Sequence, residues 1–106
     1  MSGHFKILGV SIVLAALISC ATLPPLQEMS NARQTIVAAK EFSGEANNNP
    51  RIIEAERLLA RAERRLEFNY FEAARLDAVR AQSEAIAYLE EASIDNLDET
   101  DSPEPD

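Results

Sequence analysis

Between Ile52 and Ala92 apolar side chains return every third or fourth residue, and the rhythm is interrupted once, at Asn69. Ile52, Ala55, Leu59, Ala62 and Leu66 form one seam, widened by Leu58. Phe71, Ala74, Ala78, Ala81, Ala85, Tyr88 and Ala92 form a second. Alternating steps of three and four trace one face of a helix, whereas a half-buried strand alternates by two. Ala, Leu, Glu and Arg dominate this region, and these residues lose little freedom in a helix. Helix is thereby favoured over strand, and the expected fold class is all-α.

The boundaries are also legible. Asn49 suits the N-cap of the first seam's helix and Pro50 its first helical position. An antiparallel hairpin turning at Phe68-Asn69-Tyr70 is the economical arrangement, with the large Phe68, Tyr70 and Phe71 closing its end. One continuous helix from Pro50 to Ile94 remains the alternative, since no Gly or Pro stands between them. Upstream, Leu26, Met29, Ala32, Ile36 and Ala39 predict a further helix over Leu26 to Phe42. It stops at Ser43-Gly44, before the polar loop 45–49. The helical region 26–94 is therefore a hairpin or a small three-helix bundle. Residues 95–106 hold six acidic residues, two prolines and no base, and read as a disordered acidic tail.

Ahead of these helices, Lys6 precedes a nearly unbroken apolar run from Ile7 to Ile18. About 20 apolar residues are needed to span a bilayer as a helix, so the run is short for that role. It fits the core of a secretory signal peptide over residues 1–19. The run ends in Leu17-Ile18-Ser19-Cys20, which holds the only cysteine and resembles the lipobox of bacterial lipoproteins. That resemblance implies cleavage between Ser19 and Cys20, a diacylglyceryl thioether on the Cys20 thiol, and an acyl chain such as palmitate on the new amino group. Each buried methylene contributes roughly 0.8 kcal/mol, so two or three chains anchor stably. Ala21 rather than aspartate after the cysteine implies, by the sorting rule of enteric lipoproteins, the outer membrane, facing the periplasm. Residues 20–25 then form the lipidated tether.

A second resemblance lies in the helices. The pattern A-x2-L-L-A-R-A-x3-L over residues 55–66 and N-Y-x2-A-A-R-x2-A over 69–78, with Met29-Ser30-Asn31-Ala32-Arg33, is similar to the DUF4398 family of small bacterial envelope proteins. The family's usual Gly-Asp-Tyr turn is Phe68-Asn69-Tyr70 here. The resemblance implies a helical envelope domain of undefined function, with no catalytic or cofactor residue to carry over. The helices also resemble tetratricopeptide units, but those need about three copies to form a stable array.

Chemistry-bearing constellations are scarce. One cysteine excludes an internal disulfide and a cysteine-based zinc cluster, and the only histidine, His4, precedes the apolar run. The serines have no base to activate them. Glu63 with Glu67, and Glu90 with Glu91, read as solvated helix faces, so neither an enzyme nor a cofactor other than the covalent lipid is expected. A net charge of −8 disfavours nucleic acid. The sharpest feature is a basic stripe, Arg57, Arg61 and Arg64 with Arg65 beside it. It suits phosphates, the carboxylates of peptidoglycan or an acidic protein, unless acids of the same chain neutralise it. The expected partners are the membrane through its lipid anchor, a protein or second copy along the helical seam, and, where the stripe is free, peptidoglycan.

Overall fold

A computed structural model describes residues 23–101, and every regular element among them is helical. Helix α1 spans Leu26–Phe42, a 3-10 turn Gly44–Asn48, α2 Pro50–Glu67 and α3 Phe71–Asp101. The signal peptide, Ser19, Cys20 and the first tether residues lie outside the described residues.

Local chemistry sets each junction. The Ser43 hydroxyl accepts from the Glu45 amide at 3.3 Å and opens the 3-10 turn, where the sequence suggested an irregular loop. Ala46 at its centre is fully buried. Asn49 caps α2 as expected, its side-chain oxygen accepting from the Arg51 amide at 2.9 Å, and Pro50 takes the first helical position. At the other end Asn69 adopts φ 62. Its amide donates to the Leu66 carbonyl at 3.0 Å, and the Tyr70 amide to the Arg65 carbonyl at 2.9 Å. These paired bonds are a Schellman C-cap, which requires a left-handed residue; asparagine is the commonest substitute for glycine there. The Tyr70 carbonyl then accepts from Ala74 and starts α3. Two helices separated by this turn replace the single long helix.

Ion pairs fix the directions. Arg33 with Glu63 and Lys40 with Glu56 make α1 and α2 antiparallel. Arg61 with Asp77 and Arg51 with both Glu84 and Glu91 do the same for α2 and α3. Both being antiparallel to α2, α1 and α3 run parallel, and Arg75 with Glu28 ties them together. The core comprises Met29, Ala32, Ile36 and Ala39 from α1, Ile52, Ala55, Leu58, Leu59 and Ala62 from α2, and Ala74, Ala78, Ala81, Ala85 and Tyr88 from α3. Leu66 and Ala92 pack at its margin. Four of the five α3 residues are alanine, so α1 and α2 approach the α3 backbone closely.

Three expectations are corrected. Phe68 and Tyr70 do not plug the hairpin; they are 68% and 62% exposed and stack on each other, ring centroids 6.2 Å apart. The Schellman turn leaves both side chains outside, while α1 brings the buried Pro25 and Met29 to that end. Leu26 is likewise exposed rather than part of the buried stripe. Finally, α3 does not stop at Ile94 but continues into the acidic segment as far as Asp101, and residues 102–106 of that segment lie outside the described residues. Leaving the bundle alters the solvation of those residues but not the ability of Asp95-Asn96-Leu97-Asp98-Glu99 to continue helical hydrogen bonding.

One property of α3 was not evident from its buried seam. Leu76, Val79, Ile86, Ile94 and Leu97 are all exposed. Together with Ser83, Glu90 and Ser93 they occupy steps of three and four on the face opposite the alanines. The helix is apolar on two sides, and on the second of them Leu76, Val79 and Ile86 are left exposed by the described residues.

Candidate functional site

The structure divides three arginines of the stripe between two acidic residues. Arg57 is held by Glu54 of its own helix, at 2.8 Å through Nε and 2.6 Å through Nη2. Arg61 and Arg65 both turn toward α3 and converge on Asp77. Arg61 binds it in bidentate fashion, Nε to Oδ2 at 2.9 Å and Nη2 to Oδ1 at 2.8 Å. Arg65 Nη1 adds a bond to Oδ2 at 2.8 Å. Among the described residues Arg64 alone of the four is exposed without an ion pair.

Among the described residues Asp77 is the only charged member of the buried set, 1% exposed. Its place follows from its neighbours: Ala74, Ala78 and Ala81 have no side chain beyond Cβ, so α2 lies close enough for two guanidiniums to reach over them. Planar, bidentate pairing of this kind is the strong form of a charge-assisted hydrogen bond. Burial pushes the Asp77 carboxyl up, but the hydrogen bonds and charges of Arg61 and Arg65 outweigh it and hold the carboxyl below its ordinary range. Reciprocally, the hydrogen bond from Asp77 raises Arg61, as Glu54 does Arg57. The arrangement is an ion triad with all its buried polar atoms satisfied.

Two further arginines also link helices. Arg51 bridges Glu84 at 3.2 Å and Glu91 at 2.8 Å. Arg75 joins Glu28 at 3.2 Å, Glu72, and the Leu23 carbonyl at 3.1 Å. Of the carboxylates noted in the sequence, Glu63 is taken by Arg33 and Glu91 by Arg51, whereas Glu67 and Glu90 are exposed. An open cleft of about 210 Å³ lies at the end opposite the Asn69 turn, lined by Phe42, Ser43, Asn49, Tyr88, Glu91 and Asp95 among others. Its Ser43 hydroxyl is engaged in capping, and Glu91 in its ion pair with Arg51. Among the described residues no group of acidic, His or Cys side chains has the geometry of a metal site, and no helix is long and apolar enough to cross a membrane.

Asp77 was missed from the sequence, although a signal was present. Arg61 and Asp77 are equidistant from Asn69, so folding the chain on that residue sets them opposite one another. What these features define is an all-α hairpin with a third helix packed alongside it, its ion pairs mostly joining different helices. No protein-family model, characterised protein or solved structure matches the chain in comparison.

Proposed function

We propose that the chain is a non-catalytic lipoprotein of the bacterial outer membrane, acylated at Cys20, whose helical body is a structural module that pairs with a second copy of itself in the periplasm. The anchoring half of this reading is supported by Leu17-Ile18-Ser19-Cys20 behind a short apolar run. The pairing half is carried by one observation, the second apolar face of α3. Leu76, Val79 and Ile86 are exposed there at the spacing that packs against another helix.

The peptidoglycan- or anion-binding alternative, through Arg57, Arg61, Arg64 and Arg65, is less well supported. A ligand carboxylate would have to displace Asp77 from two arginines and Glu54 from a third. Arg64 by itself is one exposed charge.

Both halves can be tested in one strain. Cys20→Ser should yield an unacylated precursor that leaves the outer-membrane fraction; full retention there would end the anchoring claim. With Cys20 acylated no other thiol exists in the chain. Ile86→Cys should then form a disulfide-linked dimer in the oxidising periplasm, and Ala38→Cys, exposed on α1, should not. Equal dimer yield from the two variants would discard pairing through α3.

A further inference from the structure

The end of the bundle that carries the Asn69 turn is also the end at which the chain arrives from Cys20. The Leu23 carbonyl accepts from Arg75 Nη2, and Glu28 of the first turn of α1 holds Arg75 Nε. Arg75 lies just over one turn beyond the start of α3 at Phe71, about 8 Å along the axis from Tyr70, and Leu23 is within reach of its side chain. Ala21 and Thr22 alone separate Cys20 from Leu23, a span of at most about 11 Å. Whatever surface holds Cys20 must therefore lie beside this end of the helices.

That end presents large apolar side chains to solvent. Leu23 is 56% exposed and Leu26 61%, and they join the exposed, stacked Phe68 and Tyr70. The Schellman bonds already fix the backbone between the two aromatics, so little further order is lost when they are covered. Nearby charges are mixed: Arg64, Glu67 and Glu72 are all exposed. Arg61 and Arg65 are paired with Asp77, and Arg75 with Glu28 and Glu72, so the attraction is apolar. Tyrosine and phenylalanine at the tip of a rigid element, beside an acyl anchor, suit the boundary between headgroups and chains, where one side of a ring is wet and the other is not.

We propose, on the reading that Cys20 is acylated, that this end rests directly on a zwitterionic phospholipid surface. Phe68, Tyr70, Leu23 and Leu26 enter the interface, and the lipid anchor and the hairpin tip together hold α2 and α3 upright. The outer face of α3 is thereby directed sideways, where a neighbouring copy on the same membrane can meet it.

The chain contains no tryptophan, so one substitution supplies a clean reporter. The full-length Phe68→Trp chain is produced in a bacterial host, its acylation read by mass, and the purified protein reconstituted into phosphatidylcholine vesicles. Its indole emission should shift to the blue and be quenched by lipid brominated near the glycerol backbone, at low and at high salt. Ile94→Trp, some 35 Å along α3 from the turn, should show neither effect. Tyr70→Trp, with unchanged far-UV circular dichroism, guards against a local effect of the first substitution. An acylated, vesicle-bound Phe68→Trp chain whose emission stays solvent-like overturns the contact and leaves the anchor standing. Blue-shifted but unquenched emission means that protein covers the site, which also overturns it. A chain that is not acylated removes both readings.

Discussion

Asp77 shows how one residue can be costly to bury and still hold two helices together. A carboxylate with 1% exposure is tolerable only because Arg61 and Arg65 satisfy both of its oxygens. Asp77→Asn keeps the shape but removes the charge, leaving two guanidiniums facing one amide. Because both arginines are about one-third exposed and can recover water, the expected loss is about 2 kcal/mol, below the full penalty for orphaning a buried charge. The lowered carboxyl gives that loss a pH signature. Its contribution is fully present above the ordinary carboxylate value of about 4 and disappears as pH falls through the lowered one. Chemical denaturation of the two proteins across pH 2 to 7 checks this: the difference between them should be constant from about pH 5 upward and shrink in acid. A difference unchanged down to the lowest pH would show that the carboxylate charge is not what binds the helices.

At the scale of elements, most of the helical layout was legible because its signals are local. Asn49-Pro50 marked the start of α2, and the interruption at Asn69 marked the turn; these depend on neighbours in sequence. The misreadings concern what lies across from a residue. Nothing local to Phe68 or Tyr70 says that a third helix brings Pro25 and Met29 to the hairpin end instead. Of the arginines on α2, Arg61 and Arg65 find their partner on α3, and only the register about Asn69 reveals it. The acidic run after Ile94 is marked by its composition, which reports solvation rather than helix formation. The alanine seam carries a prediction at this scale. Ala81 is fully buried where α3 meets its neighbours, so Ala81→Leu forces the helices apart and should destabilise the bundle by about 1–3 kcal/mol. Ala87→Leu, on the half-exposed side of the same helix, should change the melting temperature little. A larger loss at Ala87 than at Ala81 would contradict the packing.

For the whole molecule, the decisive division is between the hairpin and α1. The α2–α3 pair is joined by a hydrogen-bonded turn and by the Asp77 triad, contacts close in sequence whose closure costs little entropy. Helix α1 adds a four-residue apolar stripe, Met29, Ala32, Ile36 and Ala39, and is tied to the other helices by the half-exposed pairs of Arg33 and Lys40 and by Arg75. Its start depends on Arg75 above all, because that one side chain reaches Glu28 and the Leu23 carbonyl together. Elements with fewer buried contacts and more exposed ties open at lower free energy than the rest of a domain. Native-state hydrogen exchange should therefore find the amides near Ala32 less protected than those near Leu58 and Ala81. Arg75→Ala should widen the gap, speeding exchange in the first turns of α1 while leaving α2 at its original rate. If α1 exchanges in step with α2 in both proteins, the three helices form one cooperative unit, and the start of α1 is held by its apolar stripe rather than by Arg75.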